Sequence, residues 1–266
     1  MSNLIRCICH RLEKHIDQVN DLNVFPIPDK DTGTNILNTI SSLSGGDLGD
    51  IAKGILFSAR GSSGNILASF IIGAANSKSK DLHRICEDGY DNIVHSLSGI
   101  KDGTMASSLH HTPSEYIDVE DFLTKYQMVL VADLFDSTNR NETLKKYNTV
   151  DSGILALIYI VNGILGYLYN ADEINIETPP LRLKGEIKTR YCNEYLINGK
   201  LNLFKKILLK LIGNELLVAN YGSVTKIHIH SNHPKFIYRL FSEKMVSYKI
   251  EDMCDSNRRL MIKELT

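Results

Sequence analysis

The chain has 266 residues, of which 43% are apolar and 23% are charged, and its formal net charge is −1. This length is enough for one large domain or two ordinary ones. The near-neutral charge gives no indication of a nucleic-acid or membrane-surface partner. No uninterrupted apolar run is long enough to cross a bilayer, and the first residues lack the basic-then-apolar layout of a secretory signal. We therefore expect a cytoplasmic protein with no integral membrane segment.

The first two thirds of the chain has the periodicity of helices. Apolar residues recur at three- and four-residue steps from Leu4 to Val19, which predicts an amphipathic helix. Further helices are predicted at Gly64–Ala75, Asp81–Ser98, Asp118–Phe135 and Ser152–Tyr169. The last is apolar almost all round, which favours a central core helix, and a membrane span is the rival interpretation. Because no strand is predicted here, we expect an all-helical bundle.

The sequence changes character at Asn170–Pro180, an acidic stretch ending in proline that is typical of a linker between domains. Beyond it the apolar period becomes two. Strands are predicted at Ile187–Ile197, Glu215–Asn220, Val224–His230 and Ser247–Ile250, and helices at Leu201–Ile212 and Pro234–Glu243. The order βαββαβ is that of the ferredoxin-like arrangement, which places the first and third strands side by side.

The loop NVFPIPDKDTGTN, from Asn23 to Asn35, is the strongest functional motif. Pro26 and Pro28 exclude a helix here. In a constrained turn, the carboxylates of Asp29 and Asp31 can converge on a hard divalent cation such as Mg²⁺. The glycine-containing turn that follows opens a helix, whose free N–H groups and positive dipole end suit phosphate. A polar turn with a helix cap is the alternative, because Asp, Thr, Gly and Asn are common in turns.

Two further loops resemble the first in composition. The segment ARGSSG, at Ala59–Gly64, is a small-residue loop that leads into a helix and is a second candidate phosphate site. The segment VDSG, at Val150–Gly153, places an acid, a hydroxyl and a glycine at the start of another helix. Each of them alone is also compatible with a simple helix cap.

Together with LNVFPIPDKDTGTN, these loops resemble the ATP-binding domain of the dihydroxyacetone kinase family, and more closely the ATP-binding subunit of bacterial fatty acid kinases. The resemblance covers nearly the whole chain. It implies an antiparallel helical barrel at residues 1–170 that binds ATP or ADP through two Mg²⁺ ions, a linker at 171–180 and an α/β middle domain at 181–266. The implied activity is that of an ATP-dependent phosphotransferase, a kinase that phosphorylates a fatty acid carboxylate held by a separate fatty-acid-binding protein.

The resemblance also implies roles for individual residues. Asp29 and Asp31 would be the catalytic metal ligands, and Asn23 would supply a third oxygen. The residues that would line the nucleotide and its phosphates are Thr32, Gly33, Thr34, Asn35, Ser62, Ser63, Gly64, Thr104, Met105, Asp151, Ser152 and Gly153. Arg60 could add positive charge nearby. A fatty acid carboxylate is already ionised at neutral pH, so its phosphorylation needs positioning and charge neutralisation but no dedicated base.

A second metal site is predicted in the α/β part. Alternation along Val224–Ser231 places His228 and His230 on one face, and Cys192 on the neighbouring first strand would lie beside them on the helix-free face. One thiolate and two imidazoles suit Zn²⁺, with Glu194 or water as fourth ligand. A polar solvent face with two incidental histidines is the alternative. The middle domain of fatty acid kinase subunits has a similar Y-C-x-E-x-L-I and K-x-H-x-H pair and binds zinc there, which implies a structural zinc site.

The sequence departs from the family pattern at several positions. Lys30 stands where the family usually has glycine between the two aspartates, and Ile154 replaces a second glycine after Gly153. In the family, the chain continues into a carboxy-terminal domain that helps to engage the acyl-carrying partner. Two alternatives therefore stay open, namely a nucleotide-binding regulatory module without phosphoryl transfer and a dihydroxyacetone-type small-molecule kinase. The helix-free sheet face is also a reasonable surface for a homodimer.

Overall fold

The computed structural model describes residues 2–25, 28–43, 54–97, 100–179, 189–254 and 260–264. The chain divides into two compact units, residues 1–93 with 100–185, and residues 94–99 with 186–266. Three positions that entered the predictions lie outside the described residues, namely Pro26, the predicted helix end at Ser98 and the predicted strand start at Ile187.

The residues described before position 180 form helices and no strand, as predicted. The helices are α1 (Asn3–Lys14), α2 (Ile16–Asp21), α3 (Thr32–Ser41), α4 (Gly61–Asn76), α5 (Leu82–Ser96), α6 (Met105–Ser108), α7 (Val119–Arg140), α8 (Glu142–Tyr147) and α9 (Ser152–Tyr169). The prediction of one continuous helix from Leu4 to Val19 is wrong, because the chain breaks into α1 and α2 at His15. The ring of His15 stacks on Tyr159 of α9, with 4.0 Å between ring centroids.

Helix α9 is the core helix of the first unit and has the predicted bounds. By length and composition it could cross a membrane, but 67% of it is buried inside the protein, and α1 and α7 pack against it. The Asp151 side chain caps its first turn by accepting from the Ile154 N–H. Asn170, in the left-handed conformation at φ 55°, ends it. The burial favours the core interpretation over the membrane span.

The segment after α9, residues 171–178, lies along the helical unit. The Arg11 guanidinium donates to the Ala171 carbonyl at 3.1 Å, and Gln18 donates to the Ile176 carbonyl at 2.7 Å. Asn162 on α9 donates to the carbonyl of residue 172 at 3.0 Å. This segment was predicted as part of a linker, but over these residues the backbone is bound to three helices rather than to solvent alone.

The second unit contains an antiparallel sheet with two helices. Its elements are β1 (Tyr191–Asn198), α10 (Leu203–Ile212), β2 (Asn214–Tyr221), β3 (Val224–His230), α11 (Pro234–Phe241), β4 (Met245–Asp252) and β5 (Leu260–Glu264). The strand order is β2-β3-β1-β4-β5. The first six elements follow the predicted βαββαβ order, and β1 and β3 are neighbours as predicted. Strand β5 was not predicted.

The two faces of this sheet differ in chemistry. One face packs on both helices, and its buried core consists of Tyr195, Ile197, Leu209, Ile227, Ile229, Ile237, Phe241 and Met245. The intervening residues of β1 and β3 are polar, as strand alternation requires. They are nevertheless buried, with exposed fractions of 5% for Glu194, 1% for His228 and 2% for His230. Burying groups of this kind is costly unless they bind one another or a ligand.

Candidate functional site

The loop before α3 is organised by the side chain of Asn23, which is 2% exposed. Its Oδ1 accepts the backbone N–H groups of Asp31 at 3.0 Å and of Thr32 at 3.1 Å. Its Nδ2 donates to the Phe25 carbonyl at 3.3 Å. These bonds give Asn23 a positioning role, because they fix Asp31 at the start of α3. Its role as a metal ligand stays a prediction.

Asn20, which no sequence motif singled out, holds the first turn of α3. Its Oδ1 accepts the N–H groups of Gly33 at 2.8 Å and Thr34 at 3.3 Å, and its Nδ2 donates to the Thr34 hydroxyl at 3.0 Å. The Asn35 N–H donates to the Asp31 carbonyl. The prediction of free N–H groups at this helix start is therefore wrong, since all five N–H groups of residues 31–35 have acceptors. A phosphate would have to meet side chains here.

The two predicted metal-binding carboxylates differ in environment. Asp29 is 7% exposed, whereas Asp31 is half-buried at the amino-terminal end of α3. Lys30 between them has a left-handed backbone with φ 57°. Its ammonium forms an ion pair with the Asp21 carboxylate on α2 at 2.6 Å. The lysine charge is therefore bound by a neighbouring helix.

The closing loop and the segment before α6 meet at Asp151. The Asp151 Oδ1 accepts from the Met105 N–H at 3.1 Å and from the Ile154 N–H at 2.9 Å. Ser152 donates to the Thr32 hydroxyl at 3.2 Å, which joins this loop to α3. A Cβ at Gly153 would lie 2.8 Å from the Met105 Cβ, so the glycine permits the close approach. Three predicted segments are thus in direct contact.

The small-residue loop is also brought against α3. Gly61 begins α4 with φ 60°, and a Cβ there would clash with the Asn35 amide. A Cβ on Gly64 would lie 2.7 Å from the Thr39 hydroxyl oxygen and 3.3 Å from the Asn35 carbonyl oxygen. Both glycines therefore allow α4 to approach the start of α3. All four loops singled out by the sequence are gathered at this end of α3.

Positive side chains also lie close to these loops. The Arg60 Nε is buried and has no hydrogen-bond acceptor among the residues that the structure describes. Lys101 places its ammonium 5.0 Å from the centre of the Phe25 ring. Such groups favour a polyanion.

Arg140 on α7, which no sequence motif singled out either, fixes the turn at Gly103. Its guanidinium binds the Asp102 carboxylate twice, at 2.6 Å and 3.2 Å. Gly103 has φ 67°, and a Cβ there would lie 2.7 Å from the Arg140 Cβ. The contacts between distant segments that set these roles leave no local signal in the sequence.

Burial raises the pKa of Asp151 to about 6, although the hydrogen bonds from Ile154, Met105 and Gly153 oppose the shift. This carboxyl is thus poised to change its charge close to neutral pH.

In the second unit, strand pairing brings the predicted zinc ligands together. Cys192 lies opposite His230, and Glu194 lies opposite His228. The Cys192 Sγ is 3.8 Å from the His228 Nδ1, and the two histidine rings are 4.7 Å apart. Potential ligand atoms of the cysteine and both histidines lie within 4.8 Å of one another. This spacing and donor set fit one tetrahedral Zn²⁺.

The surroundings of this cluster also suit a metal. All three residues are buried, which excludes the alternative of incidental histidines on a solvent face. Burial, together with His228, lowers the pKa of His230 well below its usual range, which favours the neutral imidazole that metals bind. The His228 Nε2 is buried without a hydrogen-bond partner within the described part of the chain. The predicted fourth ligand Glu194 is not among the group of three.

Glu194 instead lies between two basic side chains. Its Oε1 is 3.3 Å from the His228 Nδ1, and its Oε2 is 3.3 Å from the Lys226 ammonium. Burial alone would raise the pKa of Glu194, but Lys226 and His228 outweigh it and lower the pKa to about 2. The carboxylate is therefore ionised at neutral pH.

Comparison with known proteins relates this arrangement to one family. Residues 188–260 match the family of FakA-like middle domains, which belong to fatty acid kinases. An uncharacterized protein of Staphylococcus epidermidis is 28% identical over 303 aligned positions, covering 95% of this chain and 54% of the relative. Uncharacterized proteins of Staphylococcus saprophyticus and Staphylococcus aureus are 27% and 26% identical, with similar coverage.

The chain spans about half the length of the curated relatives that it matches. The family match falls in the second unit, whose strands β1 and β3 carry the cysteine and the two histidines. These matches support a relation of the chain to FakA-like fatty acid kinase proteins.

Proposed function

We propose that this chain is the ATP-binding subunit of a fatty acid kinase, which transfers the γ-phosphoryl group of ATP to a fatty acid carboxylate held by a separate binding protein. The observation that carries the proposal is the gathering of four predicted loops at the start of α3, beside Asp29 and Asp31. The match of residues 188–260 supports the choice of substrate class. A closed helical barrel in the first unit and a cytoplasmic location are parts of the same proposal.

Asp29 and Asp31 would hold the divalent cations, and the bonds from Asn23 would keep Asp31 in place. When bound, Mg²⁺ neutralises phosphate charge and allows two anions to approach each other. The hydroxyls of Ser62 and Ser63 would donate to phosphate oxygens, and Arg60 would add positive charge. These side chains replace the backbone N–H groups of α3, which Asn20 and Asn23 already occupy.

We also propose that Cys192, His228 and His230 hold one structural Zn²⁺ in the second unit. When bound, the ion would offset the cost of burying a thiol and two imidazoles on one sheet face. Metal analysis of the purified protein tests this, with about one zinc per chain expected in the wild type and little in His228→Ala. Equal, negligible zinc in both proteins would refute this part.

The catalytic proposal is tested by ATP consumption with Mg²⁺ and a fatty-acid-loaded binding protein. We expect Asp31→Ala to lower turnover by at least about 100-fold, because the charge that neutralises the cation is lost. Asp17→Ala is the matched control, since it removes a carboxylate from the neighbouring helix α2 rather than from the loop, and it should retain turnover.

Two other outcomes would contradict the proposal. Turnover that survives Asp31→Ala would overturn the site assignment. Thermal stabilisation of the wild type by ATP without any turnover would favour the regulatory module, and turnover with dihydroxyacetone in place of the acyl carrier would favour the small-molecule kinase.

A further inference from the structure

We propose that Glu194, held by Lys226, is a positioning residue that orients His228 so that its Nε2 faces the metal. The inference rests on the zinc site proposed above and extends it to two residues outside the ligand set. It concerns the part of the second unit formed by β1 and β3.

The first step is the hydrogen atom on the imidazole ring. Glu194 and His228 are directly opposite each other on antiparallel strands, so their side chains share one face. An ionised carboxylate can only accept, and its Oε1 lies 3.3 Å from the His228 Nδ1. The hydrogen of the neutral ring is therefore held on Nδ1, which leaves the Nε2 lone pair for a metal. The Cys192 Sγ lies farther from the same Nδ1, at 3.8 Å.

The second step excludes Glu194 as a ligand itself. The cysteine and the two histidines offer ligand atoms within 4.8 Å of one another, and Glu194 is not in this group. Its other oxygen lies 3.3 Å from the Lys226 ammonium. The carboxylate thus spans from the lysine to the ligand ring, which is the position of an outer residue that fixes a ligand.

The third step is the cost of the pair. The side chains of Lys226 and Glu194 are 5% and 6% exposed, so both charges are almost completely desolvated. A buried ion pair is often no more stabilising than well-packed apolar residues of similar size. Stability alone therefore gives little reason for this pair, whereas the orientation of a metal ligand does.

The test measures zinc affinity of the full chain by competition with a chelator. We expect Glu194→Gln to weaken zinc binding by about 10- to 100-fold, because the charged acceptor at Nδ1 is lost while all three ligands remain. Cys192→Ser should weaken binding further, because it removes a ligand. Glu243→Gln, at an exposed position of the same unit, is the matched control and should bind as the wild type does.

The double variant Glu194→Gln with Lys226→Met separates positioning from simple charge burial. If the pair only balances charge, the double variant should bind zinc as tightly as the wild type. If Glu194 orients His228, the thermal midpoint should recover while the affinity stays at least about 10-fold weaker.

Cobalt substitution gives a spectroscopic readout. In Glu194→Gln we expect the thiolate-to-cobalt charge-transfer band to persist, since Cys192 is intact, and the d–d bands to shift. Wild-type protein that binds neither metal would refute the proposed site and this inference together. Wild-type binding that Glu194→Gln leaves unchanged, in both affinity and spectrum, would overturn this inference alone.

Discussion

Lys30 occupies a backbone conformation that suits glycine, the residue that the resembled family usually has there. Its φ of 57° costs a residue with a Cβ roughly 1 kcal/mol relative to glycine. The ion pair with Asp21 is solvent-exposed, with side chains 55% and 69% accessible, and such pairs contribute about 0–1 kcal/mol. The substitution therefore keeps the loop geometry at the cost of backbone strain.

Replacing Lys30 with glycine should relieve that strain. We expect Lys30→Gly to raise the free energy of unfolding by about 0.5–1 kcal/mol, measured by urea denaturation. Lys30→Ala is the control, because it removes the same ion pair and keeps the Cβ, and it should be no more stable than the wild type. Equal destabilisation by both substitutions would mean that the ion pair outweighs the backbone conformation.

Asp151 should give the protein a specific pH dependence. Its pKa is about 6 in the folded state against an ordinary value of 3.8, so the folded state holds the proton more tightly. Its stabilising contribution is thus full below about pH 4 and falls as pH rises through 6, by on the order of 3 kcal/mol. Asp151→Asn keeps an oxygen acceptor for the two N–H groups but cannot ionise.

We therefore expect Asp151→Asn to gain stability relative to the wild type as the pH rises from about 5 to about 8, measured by urea denaturation at each pH. Asp151→Ala lacks the acceptor and should be destabilised at both ends of this range. A difference between Asp151→Asn and the wild type that does not change with pH would contradict the assigned shift.

At the scale of elements, α10 shows how one helix divides its leucines. Leu209 is completely buried against the sheet, whereas Leu211, two residues later, is 78% exposed. We expect Leu209→Ala to lower the free energy of unfolding by about 2–5 kcal/mol, and Leu211→Ala to change it by less than about 0.5 kcal/mol. Urea denaturation of both variants tests this. Similar losses in the two would contradict the burial of Leu209.

Elements with a strong repeat were predicted with correct bounds. Ser152–Tyr169 is apolar nearly all round and has a side-chain cap at its start, and Val224–His230 alternates without interruption. The four-residue helix α6 and the six-residue helix α8 were missed because neither is long enough to show a helical period. The break between α1 and α2 was missed because the apolar pattern continues across it.

At the scale of the whole molecule, the two candidate sites belong to different units, each with its own core. The metal cluster of the second unit was predictable because strand alternation and the order of strands fix which residues meet. The first site was predictable as a set of loops, but not in its internal bonds. Asn20 and Arg140 act through contacts with residues 13 and 38 positions away in sequence, which no local pattern reveals.

The attachment of residues 171–178 changes where the first unit ends. Its last helix stops at Tyr169, yet Arg11, Gln18 and Asn162 all bind backbone beyond that point. A fragment cut at the end of the helix would leave these polar groups without their acceptors, and the buried Asn162 amide would lose most. The smallest piece of chain able to preserve the helical half therefore extends to about Thr178, whose hydroxyl accepts from Gln18.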